Sequence, residues 1–161
     1  MTDPIPAEPN VRVRQAQPRD AATIVDFQLA MARETEDLDL DRDTVTAGVR
    51  AVFDDPGLGT YWVAQEPPGG VVGSLLVTPE WSDWRNGRVG WIQSVYVVPE
   101  RRGRGIYRRM YETLQNQVRS DPDLKGLRLY VDRRNETAHR VYEALGMDSQ
   151  HYVRYEWLPE G

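Results

Sequence analysis

With 161 residues, 40% hydrophobic and 28% charged, and a formal net charge of −5, the chain has the size and balance of a single globular domain. The absence of Cys excludes disulfides, thiolate catalysis and cysteine-ligated zinc, and two histidines, His139 and His151, are too few for a multi-histidine metal site, so no metal is expected. The acidic balance argues against general nucleic-acid binding, no apolar run approaches the ~18 residues that span a bilayer, and the first ten residues lack an export signal, so a cytoplasmic location is expected.

Residues 1–10 contain three Pro and read as a flexible lead-in. Val11 and Val13 alternate with Arg12 and Arg14, the pattern of a half-buried strand. Pro18 and Asp20 open a helix to about Arg33, with Ile24, Phe27, Leu29 and Met31 on an imperfect apolar stripe. Asp43 is positioned to cap a second helix bearing Val45, Val49 and Val52, which stops near the Asp-Asp-Pro-Gly run at 54–57. Tyr61 to Ala64 and Val71 to Val77 flank a Pro-Pro-Gly-Gly turn and predict an antiparallel hairpin. Pro79 to Gly87, with Trp81 and Trp84, reads as a loop.

Arg88 to Val98 is apolar on both faces in its second half, as a central strand should be, and Pro99 ends it. Gly103 to about Ser120 spaces Ile106, Met110, Leu114 and Val118 for a helix. Leu127, Leu129 and Val131 alternate as a strand. Asn135 caps a helix carrying Ala138, Val141, Tyr142 and Leu145, which Gly146 terminates. Tyr152 to Leu158 reads as a last strand. The order β-α-α-β-β-β-α-β-α-β over residues 11–161 is that of one α/β domain with a mixed sheet.

Charge is segregated along this chain. Arg101, Arg102, Arg104, Arg108 and Arg109 place +5 within nine residues, whereas Glu34, Glu36, Asp37, Asp39, Asp41 and Asp43, offset by Arg42, place −5 within ten. Either run by itself is ordinarily a solvated face. The basic run, however, joins a buried strand to an amphipathic helix through Gly103 and Gly105. The first N–H groups of a helix lack internal partners and the helix dipole is positive there. Glycines let a phosphate approach the main chain, so the segment is a candidate polyphosphate cradle. It is not a Walker loop, because the only lysine is Lys125. It is not a dinucleotide fingerprint either, because Arg108 stands where the third Gly belongs.

The stretch Arg102-Gly103-Arg104-Gly105-Ile106, following a Val-Tyr-Val-Val-Pro strand end, resembles the acetyl-CoA motif R/Q-x-x-G-x-G/A of the GNAT N-acetyltransferase superfamily. Asn135, Ala138, Tyr142 and Gly146-Met147 resemble that superfamily's downstream signature, in the right order and separation. The resemblance implies a GNAT-like fold, a central mixed and mostly antiparallel sheet flanked by helices, and acetyl-CoA as cosubstrate. It implies that backbone amides of residues 103–108 (Gly103, Arg104, Gly105, Ile106, Tyr107 and Arg108) hold the pyrophosphate, with the Arg102 and Arg108 side chains nearby. The main chain along Val95, Tyr96 and Val97 would pair with the pantetheine arm, and the Val95 N–H would stabilise the thioester oxyanion. Tyr142 falls where the departing thiolate is protonated, and Asn135 would contact CoA as well as cap its helix.

Two positions depart from the family pattern. Tyr107 replaces the motif's small residue. Trp91 stands where some members carry a strand glutamate, leaving Glu34 and Glu36 as candidate bases. The acidic 34–43 run favours a cationic amine over an anionic acceptor, and a small molecule is expected as acceptor ahead of a protein. A non-catalytic CoA-binding module and a protein N-acetyltransferase are the alternatives, and similar proteins are often homodimers.

Overall fold

Val13 alternates with Arg12 and Arg14, and Arg12–Gln15 forms strand β1, whose Val13 lies opposite Ala64 of β2 (Thr60–Gln65) in an antiparallel ladder. The computed structural model describes residues 10–160, so the expected lead-in, Asn10 apart, lies outside the described residues. The described residues form two compact units, divided between Tyr130 and Val131.

In the first unit, a 3-10 turn at Pro18–Asp20 feeds helix α1 (Ala21–Glu36). This helix runs past Arg33 and ends where Asp37 takes a left-handed conformation (φ 52°). Helix α2 (Arg42–Asp54) is capped by Asp41, not by Asp43: the Asp41 carboxylate accepts from the Thr44 N–H at 2.9 Å. Asp43 instead lies in the first turn, where a negative charge meets the positive helix end. Ile24 and Val25 of α1, Val49 of α2 and Tyr61 and Val63 of β2 form the core beneath the two helices. Burying such side chains contributes roughly 1.5–3 kcal/mol each.

Strand β3 (Val71–Ser82) and strand β4 (Gly87–Val97) make a long antiparallel hairpin. The loop expected over Pro79–Gly87 therefore shrinks to the turn after Ser82. Pro79 pairs with Gly90 inside the ladder, but β2 pairs with β3 only as far as Val77. Beyond that point β3 has an open edge, where a proline's missing N–H is tolerated. Strand β5 (Leu124–Leu129) lies parallel to β4, giving the order β1-β2-β3-β4-β5. It begins before the expected Leu127 and ends before Val131. Between β4 and β5, helix α3 (Ile106–Ser120) buries Ile106, Met110, Tyr111 and Leu114. It starts after the glycines and not at Gly103. No helix among the described residues is long and apolar enough to cross a membrane.

The second unit contains helix α4 (Glu136–Ala144), stopped by Gly146 at φ 83°. The strand expected at Tyr152 to Leu158 does not form. Those residues have no regular structure, and Tyr152, Val153, Tyr155, Trp157 and Leu158 are exposed. Alternating polarity supplies an apolar face, but a strand also needs a ladder of partner N–H and C=O groups, and here no ladder is made.

Candidate active site

Strands β4 and β5 pair from Arg88 and Leu124 up to Ile92 and Leu129, where β5 ends while β4 runs on to Val97. Just beyond, β4 bulges: Leu76 lies opposite Gln93 and Ser74 opposite Tyr96, so Ser94 and Val95 together face the single residue Leu75. Ser94 takes φ 54° to accommodate the extra residue. Past the bulge β4 continues beyond the end of β5, and this uncovered stretch, the wedge, runs along the main chain of Val95, Tyr96 and Val97. These are the residues expected to meet a pantetheine arm.

After Val97 the chain makes a 3-10 turn at Pro99–Arg101 and reaches Gly103 (φ 74°) and Gly105 (φ 79°). Gly105 is the N-cap of α3, and the Arg109 N–H donates to its carbonyl at 3.0 Å. That bond opens the helix ladder, so the N–H groups of Ile106, Tyr107 and Arg108 precede it. Nothing lies within 4 Å of a Cβ built at Gly103; its positive φ, rather than lack of space, is what calls for glycine. Tyr107 is half-buried, its ring centroid 5.1 Å from that of buried Tyr111. The ring in the motif's small-residue position thus packs along the helix.

The arginines of the basic run have different partners. Arg101 donates to both carboxylate oxygens of Glu66, at 2.6 and 3.2 Å, and Arg108 to Glu112 at 3.0 Å. Arg102 donates through Nε to the Val97 carbonyl (2.9 Å) and through Nη2 to Glu34 (2.7 Å), with its guanidinium 5.3 Å from the Tyr96 ring. The Tyr96 hydroxyl donates to the other Glu34 oxygen at 3.1 Å. The structure thus joins three residues that the sequence singled out separately, and it ties the end of α1 to the cradle turn. The Arg102 and Tyr96 bonds hold the Glu34 pKa below the usual carboxylate value, which makes Glu34 a weaker base than an unpaired glutamate. Glu36, the last residue of α1, is exposed.

The acidic run is partly consumed by structure as well. Asp39 pairs with Arg33, Asp41 caps α2 and Glu34 holds Arg102. The charge left to attract a cation is correspondingly smaller than a count of carboxylates suggests.

In the second unit the Asn135 side chain accepts from the Ala138 N–H at 3.0 Å, the expected cap. His139 Nε2 lies 3.1 Å from the Asp132 carbonyl; that contact closes the loop before the helix. Tyr142 is half-buried, and burial pushes its phenol up to about 12.

Sequence reasoning missed a cluster on the sheet. Trp91 donates its indole N–H to Glu80 of β3, and Arg128 of β5 donates to the second Glu80 oxygen at 3.1 Å. The Arg128 guanidinium lies 5.9 Å from the Trp91 ring, and Tyr130 packs on that ring at 4.6 Å. Gln93 donates to Thr78 at 2.8 Å beside them. Reading Pro79 as the start of a loop removed Glu80 from the sheet and hid this arrangement.

A central strand that runs past its parallel neighbour into a glycine turn opening a helix defines a class, and comparison with known proteins identifies it. The model of the Acetyltransferase (GNAT) family matches residues 22–147, and the chain belongs to that family. A possible acetyltransferase from Clostridium difficile 630 shares 39% identity and a TM-score of 0.86, over 94% of this chain and 99% of that one. Two more distant structures share the fold. One is a ribosomal-protein-alanine N-acetyltransferase from Brucella melitensis biovar Abortus 2308 (17% identity, TM-score 0.71, 92% and 99% coverage). The other is a predicted acetyltransferase from Clostridium acetobutylicum solved with acetyl-CoA (19%, 0.70, 91% and 96%). No curated protein matches the chain.

Proposed function

We propose that this acetyltransferase takes its acetyl group from acetyl-CoA and passes it to the amine of a small molecule by direct attack on the thioester. The observation that carries this reading is the wedge beside β4, which continues into the glycine turn and the first amides of α3. Amides with a positive helix end suit a pyrophosphate, and a strand edge beyond the end of its ladder suits an amide-bearing arm. That the acetyltransferase of Clostridium acetobutylicum was solved with acetyl-CoA supports the choice of donor.

In this reading the Val95 N–H, re-aimed by the bulge, donates to the oxygen that gains charge as the amine adds to the thioester carbonyl. One such donor is typically worth ~2.7–4 kcal/mol. The acceptor attacks as the free amine, its ammonium proton having passed to solvent. Tyr142, a neutral phenol at pH 7 whose pKa burial raises further, hands its proton to the departing thiolate, and the proton released from nitrogen as the amide forms restores the phenol. Glu34 orients Arg102 and the turn, and the carboxylates left at the α1–α2 end favour an ammonium-bearing acceptor. The chain has no Cys to carry a thioester-linked acetyl group, in keeping with direct transfer.

Trp91 in place of a strand glutamate supports a second reading, a CoA-binding module without turnover. Release of free CoA thiol from acetyl-CoA with a panel of amines decides between them. Thiol release that depends on an amine is the result expected. Tight acetyl-CoA binding without release from any amine favours the module.

A further inference from the structure

The Glu80–Trp91–Arg128 cluster occupies a defined place on the sheet. Arg128 lies opposite Trp91 in the parallel ladder, and Trp91 opposite Thr78 in the antiparallel one. Glu80 is two residues beyond Thr78, and side chains two apart on a strand share a face. Leu76, two residues before Thr78, packs into the core under α1 and α2. The cluster therefore lies on the face that carries those helices, farther along the sheet. The next ladder pair after Trp91 and Arg128 is Ile92 and Leu129, the last before β5 ends. Arg128 is thus about one strand residue, roughly 3.3 Å of rise, from the mouth of the wedge.

The guanidinium there is held but not used up. Its Nη1 donates to Glu80 Oε1, while the opposite edge of the fork, Nε and Nη2, is the edge that suits side-on bidentate binding of a carboxylate. The plane of the fork is fixed on one side by Glu80 and on the other by the Trp91 ring. Glu80 is itself fixed by the Trp91 indole. The Arg128 side chain is 34% exposed and Tyr130 beside it 60% exposed. An oriented, partly open guanidinium beside the Trp91 ring, on which Tyr130 packs in turn, is a receptor for a planar anion.

We propose that Arg128 anchors a carboxylate of the acceptor, so that the acceptor is an amine that also bears a carboxylate group. The inference rests on the acetyl-transfer reading for the fate of the amine, but not for the binding itself. With the carboxylate on Arg128, the amine end is directed along the sheet face toward Gln93 and the wedge. Glu80 and Trp91 are positioning residues that hold the fork, and Glu80 offsets the charge that an unpaired arginine would present to the ammonium. No bond is made or broken at this subsite.

The test is equilibrium binding by titration calorimetry to the full chain saturated with CoA, using amino acids paired with their decarboxylated amines: phenylalanine with phenethylamine, histidine with histamine, lysine with cadaverine. In at least one pair the amino acid is expected to bind about tenfold to a hundredfold more tightly, the range of a charge-assisted hydrogen-bonded pair. Arg128→Gln is expected to erase that advantage while leaving the amine member and acetyl-CoA unchanged. Arg128→Lys, which keeps the charge and loses the fork, should retain part of it. Equal binding within every pair, no binding of any member, or an advantage untouched by both substitutions overturns the proposal. Thiol release distinguishes this from failure of the catalytic reading. Turnover of the decarboxylated amines with no preference for the amino acids sinks Arg128 alone, whereas carboxylate-dependent binding without thiol release sinks only catalysis.

Discussion

A phenol donates a proton only while it has one, and burial raises the Tyr142 pKa to about 12. Its folded pKa lies above the ordinary value of about 10, so the acid form persists through the neutral and moderately alkaline range. Tyr142→Phe is expected to slow turnover about 10²–10⁴-fold with little effect on acetyl-CoA affinity. In the unmodified protein, the pH profile of turnover should show no alkaline loss below about pH 10 that Tyr142→Phe abolishes. Such a loss, centred on the ordinary phenol value, would mean that Tyr142 titrates as if exposed. Glu34 offers the opposite case. Its pKa is lowered by Arg102 and Tyr96, so Glu34→Gln should raise the KM for acetyl-CoA a few-fold by loosening Arg102, the ion pair being half-exposed and modest. Turnover slowed by about a hundredfold or more, together with loss of an acidic limb, would instead make Glu34 the base. The sequence marked both residues, but it could not show that Glu34 and Arg102, far apart along the chain, are partners.

Among the elements, the turn between β4 and α3 was the most legible part of the chain. Its glycines, its arginines and the apolar spacing of α3 are all local signals. Gly105→Val should abolish acetyl-CoA binding: φ is 79° at this N-cap, where a β-branched side chain is strained, and added bulk blocks approach to the amides. An unchanged thermal shift with acetyl-CoA would contradict the cradle. The bulge at Ser94 left no such mark, because a positive φ at serine reflects how β4 is paired on β3 rather than its own preference. Pro79 misled for the same reason; whether a proline ends a strand depends on which edge is open, and that is a property of the sheet. The segment from Tyr152 to Leu158 has the alternation of a strand without its ladder.

For the molecule as a whole, a net charge of −5 says less than where the charges are engaged. Asp20 is among the buried charged groups, with its carboxylate bonded to Arg14 at 2.8 and 3.0 Å and to the Gln17 N–H at 2.7 Å. It fixes β1 to the start of α1, with Arg14 and Asp20 side chains only 13% and 7% exposed. Asp20→Asn leaves a buried guanidinium unpaired and should cost about 3–5 kcal/mol in chemical denaturation at pH 7. The Asp20 pKa is lowered, chiefly by Arg14. Its stabilisation is therefore complete above the unfolded value of about 3.9 and is lost as pH falls through the lower folded value. The gap between the two proteins should hold steady between about pH 7 and pH 5 and narrow below about 3.9. A gap that persists unchanged down to about pH 2 would assign the effect to packing instead.

Whether the cosubstrate lies along β4 with its diphosphate at the start of α3 is decided by a crystal structure of the chain with acetyl-CoA. Phosphate oxygens are expected within hydrogen-bond distance of main-chain amides between Gly103 and Arg108, with the thioester carbonyl facing the Val95 N–H. A diphosphate bound at any other part of the surface, or a thioester outside the wedge, would overturn the proposed function.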